Sequence, residues 1–312
     1  MSDEKQISRR TLLGMGGAAA IGSAAALGYP LRALAVDAPD ASAVKVDKDV
    51  VVGKAGAADL KVDIYHPPAG TEKHMALIHM HGGGFAGGSK NIPSQVTPIT
   101  ARGYLSMSLD YRLSGVAKWP AQNEDVKTAI GWTRENAAKL GIDPPKIGVV
   151  GYSAGGLLAL YAAGDPDNQL AAAVGFYSVA DLPKDAAYTA ALLPAGFDDA
   201  ALKAASPVNH IKAGYPPTIL YHGLADTTVP PESSLHVLQL LRDAKVSSEL
   251  HTFAGVPHAF DGNNPEFAQT CAALTDFFLD RYVVNPRTYP AFGAGRGGQG
   301  RGGGAGRGPG AQ

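Results

Sequence analysis

Between Leu60 and Tyr282, short apolar runs alternate with stretches in which apolar residues recur every three or four positions, and nothing else in this 312-residue chain restricts its fold as strongly. Leu60–Tyr65 alternates as a strand does and stops at Pro67-Pro68. Met75–Met80 runs into glycines, and Tyr104–Tyr111 is entered through Arg102-Gly103. Val126, Ala129, Ile130, Thr133, Ala137 and Leu140 share one helical face, which Gly141 closes. Lys146–Gly151 reads as a buried strand leading directly into a helix over Leu157–Ala163. Ala172–Val179, Thr218–Tyr221 and Glu249–Phe253 read as further strands. A helix carrying Leu235, Leu238 and Leu241 and a closing helix over Phe267–Tyr282 complete the series. Strands separated by helices become parallel neighbours joined by right-handed crossovers, so the pattern predicts an α/β fold with a doubly wound, mostly parallel sheet.

One stretch breaks the alternation. Residues 182–215 are Ala-rich, hold Leu192, Leu193 and Phe197, and lie between two strands. A long excursion at such a place is usually functional, and short helices forming a lid are expected there.

The two ends differ from the body in composition. Residues 1–35 place Arg9-Arg10 before a weakly apolar Gly/Ala stretch reaching about Leu27, and Ala33-Leu34-Ala35 offers small residues for cleavage. That order is expected of a twin-arginine signal peptide, and hence of a periplasmic or secreted protein. The stretch is diluted by Gly14, Gly16, Gly17 and Gly22 and falls short of the ~20 apolar residues a membrane span needs, so no stable anchor is expected. Residues 293–312 hold eleven Gly and three Arg, too little apolar surface to order a chain, and are expected to form a disordered tail able to touch a polyanionic surface. The catalytic domain is thus expected over 36–292. Within it, 20 Lys and Arg face 26 Asp and Glu, a balance that argues against nucleic acid as the main partner.

The chemistry is concentrated where strands end. Gly151-Tyr152-Ser153-Ala154-Gly155 is G-x-S-x-G at a strand-to-helix switch, the context in which a strained turn presents the serine oxygen. Ser153 also stands beside a helix N-terminus, whose free N–H groups favour a developing oxyanion. His81-Gly82-Gly83-Gly84 follows an earlier strand, and its backbone N–H groups, with that of Ala154, are expected to form the oxyanion hole. A phosphate loop is the rival reading, but Phe85-Ala86-Gly87-Gly88 supplies neither a Lys-Ser/Thr pair nor G-x-G-x-x-G opening a helix.

Serine needs a base, and the base an orienting acid. Asp226 falls just past a strand and His258 in the loop after the final strand, which gives the chain order Ser153, Asp226, His258. Asp181, after the preceding strand, is the rival acid. Phe85, Tyr152 and His210 are expected to line the substrate pocket, while His79 and His222 read as packing or turn residues. Cys271 falls on the apolar face of the last helix, reads as a core residue, and as the only cysteine forms no intrachain disulfide. No metal or cofactor is called for, because the histidines lack ligand spacing and a second thiol is missing.

Together, His81–Gly84, Asp110-Tyr111-Arg112-Leu113, Gly151–Gly156, His222–Asp226 with Val229-Pro230, and Pro257-His258 resemble the α/β-hydrolase esterases over roughly residues 60–283. The HGGG element is similar to that of the hormone-sensitive-lipase-like group. Val44–Val52, however, looks strand-like where that group has a helical cap, which moves the resemblance toward the cap-poor acetylxylan and feruloyl esterases. The resemblance implies an acyl-enzyme esterase acting on short-chain or carbohydrate-linked esters, with the N–H groups of Gly83, Gly84 and Ala154 receiving the charge. Alternatives on the same sequence are a serine peptidase or lactonase of this fold, or a non-catalytic secreted binding protein with a basic tail.

Overall fold

The computed structural model describes residues 39–288; the signal-peptide and tail expectations lie outside them. The chain forms β1 (Lys45–Ala55), β2 (Ala58–His66), β3 (Ala76–Met80), α1 (Pro93–Thr100), β4 (Leu105–Leu109), α2 (Ala121–Glu135), α3 (Ala137–Leu140), β5 (Ile147–Tyr152) and α4 (Ala154–Ala163). It continues through β6 (Ala172–Phe176), α5 (Ala187–Leu192), α6 (Asp199–Ala205), β7 (Thr218–Gly223), α7 (Glu232–Asp243), β8 (Ser248–Phe253), α8 (Phe260–Asn263) and α9 (Pro265–Leu279). The strands make one eight-stranded sheet in the order β1-β2-β4-β3-β5-β6-β7-β8. From β4 to β8 all neighbours are parallel, while β2 runs antiparallel to both β1 and β4.

Alternation along each strand divides the core between the two faces of the sheet. Ile78 and Met80 of β3 and Val149 of β5 join Leu157, Leu160 and Val237 on one face. Leu77 of β3 and Val150 and Tyr152 of β5 join Tyr104, Tyr221, Cys271 and Phe278 on the other. Cys271 is buried, and that burial pushes its thiol pKa up, away from any nucleophilic form. The outer strand β1 carries Lys45, Asp47, Lys48 and Asp49 exposed to water, charges that discourage edge-to-edge pairing.

The structure departs from the sequence reading in three places. A helix not anticipated from sequence, α1, begins with Pro93 at its first turn and holds Pro98 inside. It forms because Val96 and Ile99 are buried, and that tertiary packing outweighs the local penalty of Pro98. The helix expected to reach Leu140 divides at Asn136 into α2 and α3, with Gly141 closing the second at φ 69°. Finally, β6 ends at Phe176 because Tyr177 turns the chain at φ 37°.

Candidate active site

Parallel strands deliver their C-terminal ends to one edge of the sheet, and every motif singled out above lies there. Ser153 occupies the turn between β5 and α4 at φ 56°, ψ −115°, a conformation that non-glycine residues rarely hold. Its N–H donates to the Phe176 carbonyl at 3.0 Å, which fastens the turn to the next strand. The elbow closes only because position 155 lacks a side chain: a Cβ there would lie 2.1 Å from the Met80 carbonyl oxygen.

The base arrives on a separate loop. Leu224 N–H donates to Phe253 O at 2.9 Å and Ala225 N–H to Val256 O at 3.0 Å, which knits the loop after β7 to the loop after β8. Asp226 and His258 meet as a result. His258 Nδ1–H donates to Asp226 Oδ2 at 2.6 Å, and His258 Nε2 lies 2.9 Å from Ser153 Oγ. The other carboxylate oxygen, Oδ1, accepts the N–H groups of Thr228 and Val229 at 2.8 and 2.9 Å. Asp226 is buried, whereas Ser153 and His258 are partly exposed. A buried carboxylate, an imidazole and a surface hydroxyl thus stand in one hydrogen-bonded line. Asp181, the rival acid, is exposed.

The glycine loop passes beside the serine, since a Cβ on Gly82 would lie 3.2 Å from Ser153 Cβ. Gly83 stands at φ 110°, where an added Cβ would fall 2.3 Å from the Gly87 carbonyl oxygen. Its own carbonyl accepts from Ala86 and Gly87 at 3.1 and 3.0 Å, while the N–H groups of Gly83 and Gly84 donate to no acceptor among the described residues. With Ala154 N–H at the start of α4, they are the free donors of this rim.

The Asp110-Tyr111-Arg112 segment is the scaffold of that loop. Tyr111 donates its hydroxyl to the His81 carbonyl at 2.9 Å and stacks on the His81 ring at 4.3 Å. His81 Nδ1–H donates to Gly82 O at 2.7 Å. Lys90 N–H donates to Asp110 Oδ1 at 2.6 Å, and Lys90 Nζ pairs with Asp63 at 3.0 Å. Arg112 in turn is anchored on Asp125.

The expected pocket residues are placed differently. Phe85 is fully buried in the core, and the loop uses its carbonyl instead, which accepts Ser114 N–H at 2.8 Å. Tyr152 is buried in the core, with its ring 4.9 Å from that of Phe176 and its hydroxyl 3.2 Å from His79 Nδ1. His210 packs against Gly164, just beyond the far end of α4, bonds the Ala204 carbonyl at 2.9 Å, and meets the Tyr161 ring at 4.5 Å. A ten-residue helix separates it from Ser153, about 15 Å. None of the three lines the mouth at Ser153.

Three other residues do reach the triad or its rim. His222, fully buried, lies 3.3 Å from Asp226 Oδ2. Tyr177 packs on His258 with ring centres 4.5 Å apart. Tyr188 of α5, half-buried, has its Cβ 3.8 Å from where a Gly84 Cβ would be. The helix carrying Tyr188 is pinned by Trp119 N–H on Leu192 O and Lys118 Nζ on Ala191 O. Sequence offers a signal for His222 alone, its spacing of four from Asp226. Tyr177 and Tyr188 become neighbours of the site only on folding.

Known proteins match this arrangement in sequence and in shape. The BD-FAE family model matches residues 62–241. Esterase LipQ of Mycobacterium tuberculosis is 33% identical over 68% of this chain and 57% of its own length. LipM of the same organism is 31% identical over 76% of this chain and 62% of its own, so the chain spans less than two thirds of the length of these curated relatives. The propionate-bound thermophilic esterase Est2 of Thermogutta terrifontis superposes with a TM-score of 0.67 at 32% identity, covering 80% of this chain and 98% of that one. The matched span, more than half of the chain, contains β2 to α7 with the glycine loop, the serine elbow and Asp226, and the chain belongs to the BD-FAE family on the α/β-hydrolase fold.

Proposed function

We propose that the protein is a serine carboxylic-ester hydrolase working through an acyl-enzyme, with Ser153 as nucleophile, His258 as general base and acid, and Asp226 as orienting acid. The observation that carries this reading is the line Ser153 Oγ, His258 Nε2, His258 Nδ1–H, Asp226 Oδ2, with links of 2.9 and 2.6 Å. His258 takes the Ser153 proton as the hydroxyl attacks the ester carbonyl, and Asp226 stabilises the imidazolium that results. The N–H groups of Gly83, Gly84 and Ala154 receive the negative oxygen. Collapse expels the alcohol with a proton from His258, and water, activated the same way, frees the acid from Ser153.

The substrate in this proposal is a short-chain or carbohydrate-linked ester. Tyr188, whose Cβ lies 3.8 Å from the Cβ position of Gly84, is the side chain we assign to the wall against the acyl chain. Est2 of T. terrifontis has been solved with propionate and with butyrate, both short acids. The resemblance to acetylxylan and feruloyl esterases supports a plant-polysaccharide ester, and the twin arginine with Ala33-Leu34-Ala35 supports export and action outside the cytoplasm.

The test uses protein beginning at Val36, with Ser153→Ala as blank, and compares acetate release from acetylated xylan with hydrolysis of p-nitrophenyl acetate. Serine-dependent release from both is the expected result. Activity on the small ester alone discards acetylated xylan, keeps the mechanism and leaves feruloyl or other small esters, and silence on both favours the non-catalytic binding protein.

A further inference from the structure

Against the ring of His258 lies a hydrogen-bonded group that the reaction above does not use. Tyr177 donates its hydroxyl to Asp261 Oδ1 at 2.6 Å. Gln95 Nε2 of α1 reaches both members, Asp261 Oδ2 at 3.1 Å and the Tyr177 hydroxyl at 3.2 Å. Tyr177 and Asp261 are 1% and 2% exposed, so neither side chain serves solubility. The Tyr177 ring is set on the His258 imidazole at 4.5 Å with planes 61° apart. Asp261 follows His258 by three residues in α8, and Ala259 between them bends the chain at φ 56°.

We propose that Tyr177 and Asp261 form a brace that fixes the ring of His258: Asp261, on the segment that carries His258, holds Tyr177 by its hydroxyl, and Tyr177 packs edge-to-face with the imidazole. Asp226 alone grips one nitrogen and leaves the ring free to swing about that bond, and a second contact on the ring removes this freedom. Core packing supports the tyrosine as well, since its ring meets that of Phe260 at 5.5 Å. Burial raises the Asp261 carboxyl above its ordinary value, and the bonds from Tyr177 and Gln95 oppose that rise. A buried carboxylate costs stability unless it is bonded, and this brace satisfies it with donors that also order the base. Tyr177 and Asp261 are positioning residues: they act through His258 and touch no substrate.

This inference rests on His258 being the base, and its test separates the two. The full chain is titrated with paraoxon to count reactive serines, and kcat and KM are measured per titrated site on p-nitrophenyl acetate. Tyr177→Phe keeps the ring and cuts the tether, and lowers kcat about tenfold with KM little changed. Tyr177→Ala removes the ring contact as well, and its loss is on the order of 10²-fold, the cost of a misplaced catalytic group. Asp261→Ala matches Tyr177→Phe, and Asp261→Asn, which still offers the hydroxyl an acceptor, recovers most of that loss. A merely structural role would lower the number of titrated sites and leave kcat per site unchanged, and that outcome overturns the brace. The downfield proton resonance of the His258 Nδ1–H···Asp226 bond gives a readout independent of turnover. The brace predicts faster exchange of that proton in Tyr177→Phe, and an unchanged resonance overturns it. A wild type that paraoxon does not titrate overturns the esterase reading, while the resonance still decides the brace.

Discussion

His222 Nε2 lies 3.3 Å from Asp226 Oδ2, with both side chains fully buried. The same Nε2–H donates to the Val229 carbonyl at 2.9 Å, so Nδ1 is the acceptor for the Ser234 hydroxyl at 2.7 Å. Burial lowers the His222 pKa and keeps the ring neutral. A histidine four residues before the acid therefore props the acid's loop from beneath. His222→Phe fills the same space without a donor and is expected to cost about 1–3 kcal/mol, the penalty of stranded buried partners. It is also expected to lower kcat more than it changes KM. Urea midpoints together with ester kinetics check both parts, and an unaltered kcat would show that the Asp226 loop needs no prop.

Asp226→Asn is expected to lower kcat by about 10⁴, the effect of presenting the base in the wrong tautomer. Asp181→Asn changes an exposed side chain and is expected to leave the rate near that of the wild type. Parallel kinetics on the two variants decide the acid, and the reverse ranking moves it to the earlier loop. Ser153→Ala removes one oxygen and is expected to abolish hydrolysis with an unchanged thermal midpoint.

Gly83→Ala places a Cβ 2.3 Å from the Gly87 carbonyl oxygen, and this contact is relieved only by moving the loop. Displacing one oxyanion donor costs about 10²–10³ in rate. The variant is expected to fall in that range and to lose stability as well, because φ 110° and the backbone clash both strain an alanine there, and denaturation set beside kcat measures both. A rate within a few-fold of the wild type would remove the Gly83 N–H from the oxyanion hole.

Tyr188→Ala opens space next to Gly84 and is expected to shift preference from acetate toward longer acyl chains. Each extra buried methylene is worth about 0.8 kcal/mol, about fourfold in relative kcat/KM. A p-nitrophenyl ester series from acetate to octanoate reads the shift. An identical chain-length profile in the variant would place the acyl group elsewhere.

His79 supplies a stability prediction with a sign. Burial lowers its pKa from 6.5 to about 3, and its Nε2 has no hydrogen-bond partner. The unfolded chain takes up this proton below about pH 6.5 and the folded chain does not, so stability is lost as pH falls through that point. The slope contributed by one such group is about 1.4 kcal/mol per pH unit. His81, His222 and His251 are lowered by burial too and add in the same direction. His79→Leu is expected to flatten the dependence between pH 6 and 5 by about that slope while remaining close to wild type at pH 7. Urea midpoints at both ends of the range test it, and an equal slope in the two proteins would refute it.

The sequence alone determined the order of the strands from β2 to β8 with the helices α2, α4, α7 and α9, the elbow at Ser153 and the glycine loop at His81–Gly84. Each rests on a short-range rule: alternation of apolar residues for strands, three-to-four spacing for helices, and close approach that only glycine permits. The order of Ser153, Asp226 and His258 was legible for the same reason, because parallel strands carry their following loops to one edge. What lies around those loops was not. Phe85, Tyr152 and His210 stand next to motif residues or at the end of the lid, yet core packing buries the first two and the length of α4 carries the third away from the mouth at Ser153. Tyr177, Gln95 and Asp261 lie far apart along the chain and become one hydrogen-bonded group only when β6, α1 and α8 pack together. α1 itself, with two prolines, has little local reason to be a helix and forms because the core needs Val96 and Ile99. Local stereochemistry placed the reacting groups, and burial, which depends on every distant residue at once, decided what holds them.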